Sequence, residues 1–88
     1  MKSKYSFEMM ELDGETIAVP VGDNADELHA VVNVNEEAKR ILELIQEETT
    51  VDRIVDQLMK EYEGEKAEIA RLVSAYIEQL RQEGLLEE

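Results

Sequence analysis

Few side chains in this chain have the type and spacing that catalysis or metal binding requires. His29 is the only histidine and there is no cysteine, so the usual nitrogen and sulfur ligands of zinc cannot form a set. Serine becomes a nucleophile when a base activates it, and no such base accompanies Ser3, Ser6 or Ser74. We therefore expect no catalytic residue, no resident metal and no cofactor, and hence a protein that is not an enzyme.

The acidic residues also have an ordinary interpretation. General acid chemistry needs a desolvated carboxyl group with a perturbed pKa, and the acidic pairs fall outside the apolar stripes of the predicted helices. These pairs are Glu36 and Glu37, Glu47 and Glu48, and Asp52 and Asp56. The segment GDNADE at 22–27 lacks the ligand spacing of a calcium loop. A carrier protein with a phosphopantetheine arm is also disfavoured, because Ser74 lies within a helix and no Asp precedes it.

Composition and charge restrict the kinds of molecule that this chain can bind. The chain has 88 residues, of which 43% are hydrophobic, and 22 acidic residues against 9 basic ones give a net charge of -13. Such a surface repels phosphate backbones and anionic lipid unless it carries a basic stripe, and the basic residues here are scattered. No apolar run is long enough to span a bilayer. We expect a single cytoplasmic domain over residues 1–88, frayed at 1–4 and 87–88.

The first third of the chain predicts strands. Asp13-Gly14 between two apolar segments is a strong signal for a two-residue hairpin turn. Pairing Leu12 with Glu15 places Met10 opposite Ile17. One face then carries Met10, Leu12, Ile17, Val19 and Val21, and the other carries Tyr5, Phe7, Met9 and Ala18. Since both faces are apolar, either a bulge resets the alternation or the second face is covered. The alternating segment LHAVVNV at 28–34 predicts a third strand.

Three amphipathic helices follow. Asn35 is a good N-cap for the first helix, and Thr49 or Thr50 for the second. Gly64 and Gly84 are expected to stop the second and third helices. The third helix places Ile69, Leu72, Val73, Tyr76, Ile77 and Leu80 on one broad face, and the leucines at 85 and 86 are expected to fold back onto the core. The order β-β-β-α-α-α predicts an α+β domain with a three-stranded antiparallel sheet and three helices, similar to a winged helix-turn-helix.

Four segments of the chain carry a resemblance to a known family. They are ELDGETIAVPVG, VVNVNEEAKRILELI, TTVDRIVDQLMKEY and YIEQLRQEGLL. In order and spacing they resemble the PqqD-like family, also known as the RiPP precursor peptide recognition element, from about Tyr5 to Leu86. The resemblance implies a chaperone that binds the leader of a ribosomally made precursor peptide and presents it to a modifying enzyme, often a radical S-adenosylmethionine protein.

The same resemblance implies where the leader would bind. It would add as a strand beside residues 28–34 and lie against the third helix. The predicted peptide-binding residues on the strand are Leu28, His29, Ala30, Val31, Val32, Asn33 and Val34. Those on the helix are Ala70, Arg71, Val73, Ser74, Ile77 and Arg81. The alternative is that Val73 and Ile77 are core residues and Arg71 is a solvated charge.

Two other classes of function remain open from the sequence. The scaffold would also suit an adaptor or a transcriptional regulator, although the acidic charge disfavours DNA. The chain would otherwise be a structural homodimer in contact through the face of Tyr5, Phe7 and Met9. The sequence is compatible with either a monomer or a weak homodimer.

Overall fold

The computed structural model describes residues 1–22 and 34–87. These residues form an α+β fold of three helices with short antiparallel strands, which confirms the predicted class. The four strands form two small sheets, β1 with β4 and β2 with β3. Most of the predicted strand at 28–34 lies outside the described residues. The elements are β1 (Lys2–Ser3), β2 (Ser6–Leu12), β3 (Glu15–Val21), α1 (Glu36–Leu44), α2 (Val51–Glu61), α3 (Lys66–Gln82) and β4 (Leu86–Glu87).

The β2–β3 hairpin has the predicted turn and register. Asp13 and Gly14 both have positive φ, 53° and 81°, as a two-residue type I′ turn requires. Leu12 pairs with Glu15, and Met10 pairs with Ile17. The turn residues alone therefore sufficed to predict how the two strands align.

The two faces of the hairpin have different surroundings. Ala18 is fully buried, and Phe7 and Met9 pack beside it against the core. Met10 and Leu12, on the other face, are 51% and 60% exposed. Of the two explanations for the doubly apolar hairpin, coverage of the Phe7 face by the core is therefore the correct one.

The dimer contact considered from the sequence uses this covered face. Tyr5, Phe7 and Met9 are partly buried side chains that pack against the protein's own core. This face is therefore used at least in part within the chain, and its role as a dimer contact stays a prediction.

Helix α1 begins where the sequence predicts. The Asn35 side-chain oxygen accepts a hydrogen bond from the backbone N–H of Ala38 at 2.8 Å, which satisfies one of the free amides of the first turn. Ile41 and Leu42 on the inner face are fully buried.

Helix α2 is capped in the same way. Of the two candidate threonines, Thr50 is the cap, and its hydroxyl accepts from the backbone N–H of Arg53 at 3.2 Å. Ile54, Val55 and Leu58 are buried. Gly64, with φ 149°, follows the end of this helix.

Helix α3 buries a narrower stripe than its sequence pattern predicts. Val73, Ile77 and Leu80 are buried, but Leu72 is 43% exposed. The helix ends at Gln82, and Gly84 adopts a left-handed φ of 76°. Leu85, 3% exposed, then returns to the core as predicted, and its N–H donates to the Leu80 carbonyl at 3.0 Å.

The two ends of the described chain meet. Ser3 pairs with Leu86 in the β1–β4 sheet, and its N–H also donates to the carbonyl of Ile45 at 2.7 Å. This pairing differs from the fraying expected at 1–4 and 87–88. A two-residue strand shows no periodicity, and its partner lies at the opposite end of the sequence, so no local pattern reveals it.

Candidate peptide-binding surface

Val34 is the one residue of the predicted docking strand that the structure describes. Its N–H donates to the Thr16 carbonyl of β3 at 2.9 Å, and its side chain is buried. The last residue of the predicted strand therefore lies beside β3. The other six predicted strand residues, Leu28, His29, Ala30, Val31, Val32 and Asn33, lie outside the described residues.

The predicted residues of α3 divide into two groups. Val73 and Ile77 are 0% and 1% exposed, so in this conformation they are core residues with no surface to offer a ligand. This agrees with the alternative considered for them from the sequence.

The remaining predicted residues form a polar flank of α3. Ala70 is half-buried, while Arg71 and Ser74 are exposed. Arg81 is exposed and forms an ion pair with Glu78 one turn earlier. A role for this flank in binding a peptide stays a prediction.

A small cleft borders the other flank of α3. Because successive helix residues are about 100° apart, Leu72 and Ser74 point about 160° away from each other. The cleft on the Leu72 side has a volume of about 170 Å³. We call it the α2–α3 cleft; its residues are Glu37, Leu58, Tyr62, Glu63, Gly64, Glu68, Ile69 and Leu72.

Apolar side chains form the floor of the α2–α3 cleft. Leu58 comes from the last turns of α2 and is buried, and half-buried Tyr62 follows that helix. Ile69 and Leu72 come from the first turns of α3. The short connection between the two helices places these side chains together.

The rim of the cleft is acidic. Glu37 lies in the first turn of α1, Glu63 in the α2–α3 connection and Glu68 in the first turn of α3. Partial burial raises the pKa of the Tyr62 phenol, and the carboxylates of Glu36 and Glu37 raise that pKa further. The phenol therefore stays neutral and lies in a negative field.

An ion pair ties α1 to α2 next to this rim. The guanidinium of Arg40 donates to Glu61 at 2.8 Å, and Gln57 donates to the same carboxylate at 2.7 Å. The hydrogen bond from Arg40, and then the one from Gln57, lower the pKa of Glu61. Arg40 is engaged in this pair and is not among the residues that line the cleft.

A second, more open cavity of about 480 Å³ lies where the predicted docking strand ends. It lies between the hairpin tip and the start of α1, and its lining includes Glu15, Thr16, Val34, Asn35 and Lys39. Its polar lining provides backbone and side-chain hydrogen-bonding groups beside Val34, but no apolar floor comparable to that of the α2–α3 cleft.

Sequence reasoning missed Ile69 and Leu72 as surface residues because it placed the whole apolar stripe of α3 in the core. The helical spacing gave no signal that separates them from the core. Residues 69, 72, 73, 76, 77 and 80 span about 140° of the helix. Leu72 lies at one edge of this span, but Ile77 at the other edge is 1% exposed, and Ile69 lies near the centre.

In the described ranges, 1–22 and 34–87, no group of three or more His, Cys, Asp or Glu side chains is placed to hold a metal ion. None of the three helices is long and apolar enough to cross a membrane.

Comparisons with known proteins agree with the fold. A family model described as coenzyme PQQ synthesis protein D (PqqD) matches residues 9–86. A solved structure of TbiB1 in complex with the TbiA(beta) leader peptide is similar, with a TM-score of 0.72 and 21% sequence identity, covering 99% of this chain and 95% of that chain. No curated protein matches the sequence.

Proposed function

The chain belongs to the PqqD family, and from this premise we propose that it is a non-catalytic domain that binds the leader of a ribosomally made precursor peptide. It would present that peptide to a modifying enzyme. The supporting observation is that its fold matches, over nearly the whole of both chains, a domain solved with a leader peptide bound.

The proposed mode of binding is strand addition. An edge strand has unpaired amides and carbonyls that an extended peptide can satisfy, which gives affinity with little sequence preference. The hydrogen bond from Val34 to Thr16 at 2.9 Å supports a strand at 28–34 beside β3. In that arrangement the leader would pair with the edge of this strand that faces away from β3.

Selectivity would then come from side chains near that edge. Main-chain bonds are similar for all peptides, so pockets must distinguish one leader from another. The two flanks of α3 and the α2–α3 cleft are the described surfaces available for this. As the modifying enzyme, we propose a radical S-adenosylmethionine protein, on the basis of the resemblance found in the sequence.

The charge of the domain supports a peptide partner over nucleic acid. The net charge is -13. The carboxylates of Glu68 and Glu78 within α3, and of Glu65 and Glu83 at its caps, offset the cations of the helix, which are Lys66, Arg71 and Arg81. A helix that reads DNA needs a positive surface. A gel shift at low salt should therefore show no DNA binding.

Amide NMR tests the proposed function. The labelled protein is titrated with synthetic peptides from short open reading frames next to its gene, and a scrambled peptide serves as control. We expect shifts concentrated in residues 28–34 and 66–81, with a dissociation constant in the nanomolar to micromolar range. Shifts confined to the β2–β3 hairpin, or none with any peptide, would contradict the proposal.

A pair of substitutions tests strand addition itself. Backbone groups alternate along a strand, so if the Val34 N–H faces β3, the N–H of Val31 faces the edge proposed for the leader. Val31→Pro removes that N–H and should abolish binding. Val31→Ala keeps it and should retain most of the affinity. Circular dichroism confirms that both variants are folded. Equal binding by the two folded variants would mean that the peptide does not pair here.

A further inference from the structure

The α2–α3 cleft has the size of one side chain. Its volume of about 170 Å³ is sufficient for a single leucine or phenylalanine but not for a helix or a second strand. Leu72 is 43% exposed at its edge, whereas the next residue, Val73, is fully buried. An exposed leucine in a concave apolar site offers surface that a ligand can cover, and covering it makes the free energy of binding more favourable.

The charge around the cleft indicates what lies next to that side chain. Glu37 of α1, Glu63 of the α2–α3 connection and Glu68 of α3 all line the cleft. No Lys or Arg is among the described residues that line the cleft. Apolar walls of low dielectric strengthen the field of such a rim, so a cation beside it is attracted and an anion is repelled.

We propose that the α2–α3 cleft binds one aliphatic or aromatic side chain of the leader, with a lysine or arginine next to it that pairs with the acidic rim. The proposal rests on the proposed function and adds to it the chemical class of peptide that this protein selects. The apolar side chain fills the floor made by Leu58, Ile69 and Leu72. The neighbouring cation approaches Glu63 or Glu68.

Charge complementarity favours such a peptide over a second copy of this chain. Two copies would each bring a net charge of -13, and the rim would face a surface of its own sign. A short basic segment avoids this repulsion. Acidic segments are disfavoured for the same reason, which gives the cleft a way to reject unsuitable leaders.

Selection from a random peptide library tests the inference. A display library of twelve-residue peptides is selected on the immobilised protein, and the enriched peptides are measured individually by fluorescence anisotropy. We expect a leucine, isoleucine or phenylalanine within two residues of a lysine or arginine. In the proposed mode, affinity falls as salt is raised, because the rim contributes through screened charges.

Variants of the cleft, each with a matched control elsewhere on the surface, test whether the peptide binds in the α2–α3 cleft. Leu72→Ser should weaken binding about 10-fold, because about half a leucine side chain would be covered by the ligand. Leu12→Ser removes a still more exposed leucine, on the hairpin, and should leave binding unchanged. The double variant Glu63→Gln with Glu68→Gln should weaken binding about fivefold at low salt. Glu8→Gln with Glu47→Gln changes the charge by the same amount at exposed positions that line neither cavity, and serves as its control.

The outcomes separate this inference from the proposed function. Peptides that bind with no basic residue, or equally well to Leu72→Ser and Leu12→Ser, overturn the inference and leave the proposed function standing. Absence of binding by every library peptide and every leader overturns both. Sedimentation that shows a dimer dissociated by Leu72→Ser assigns the cleft to a second copy and also overturns the inference.

Discussion

The hairpin and the helices use their apolar residues in different ways. In the β2–β3 hairpin only Ala18 is buried completely, and Met10 and Leu12 remain open to solvent. Each helix buries at least two large aliphatic side chains, and α3 buries Val73, Ile77 and Leu80. The helices therefore supply most of the described core. An apolar sequence pattern therefore predicts burial well for a packed helix and poorly for a strand with two apolar faces.

The largest expected effect tests this comparison directly. Ile77→Ala removes a side chain that is 1% exposed and leaves a cavity, so it should lower the free energy of unfolding by about 2–5 kcal/mol. Leu12→Ala, on the open face of the hairpin, should change it by less than about 0.5 kcal/mol. Urea unfolding measures both. Similar losses would mean that the outer hairpin face is covered in solution.

The next largest loss of stability is expected from substituting two glycines with left-handed backbone conformations, one in the hairpin and one after α3. Gly14 in the hairpin turn and Gly84 after α3 have φ of 81° and 76°, and an added Cβ at either would meet no atom within 4 Å. Only backbone strain remains, so Gly14→Ala and Gly84→Ala should each cost about 1–2 kcal/mol. Thermal unfolding should show comparable losses at both sites. A far larger loss at either one would reveal a steric role that the structure does not contain.

The helix caps should have a smaller effect. Asn35→Ala and Thr50→Ala each remove a side-chain acceptor of a first-turn N–H, at a cost of about 1 kcal/mol. Asn35→Asp and Thr50→Ser keep an acceptor and serve as controls that should retain most of the stability. If alanine and the conservative variant unfold at the same temperature, the caps do not contribute.

The smallest expected effect is that of the ion pair between α1 and α2. Arg40 and Gln57 stabilise the ionised form of Glu61 and lower its pKa. This contribution is therefore present above the ordinary carboxyl pKa and is lost as the pH falls through the lowered folded value. The pair is partly exposed, so Glu61→Gln should cost less than about 1 kcal/mol near neutral pH. The difference in unfolding temperature between the two proteins should vanish in acid, and a difference that grows in acid would contradict the assignment.

The sequence predicted best what is encoded locally. Asp13-Gly14 determined the hairpin register, and Asn35 and Gly84 marked helix ends, because each acts through its own backbone or side chain within a few residues. It did not predict which hairpin face is buried, because that depends on helices far along the chain.

The candidate site stays a prediction. Val73 and Ile77 were assigned to a groove, with the core as the alternative, and both are buried in the structure. Leu72 was assigned to the apolar face of α3, and it borders the α2–α3 cleft. The helical spacing of apolar residues shows which of them share a face of the helix. It does not show where a packed face ends and an open surface begins, since neighbouring helices determine that boundary. The acidic rim was equally hidden, because Glu37, Glu63 and Glu68 meet only in three dimensions.

The pairing of β1 with β4 has a consequence for tethering. Since Lys2 and Glu87 are strand partners, a linker attached at either end leaves the molecule at the same place. If an enzyme were fused to this domain, a linker from either terminus would start at the same point on its surface. The order of the two parts would therefore matter little for the effective concentration of this domain near the enzyme's active site.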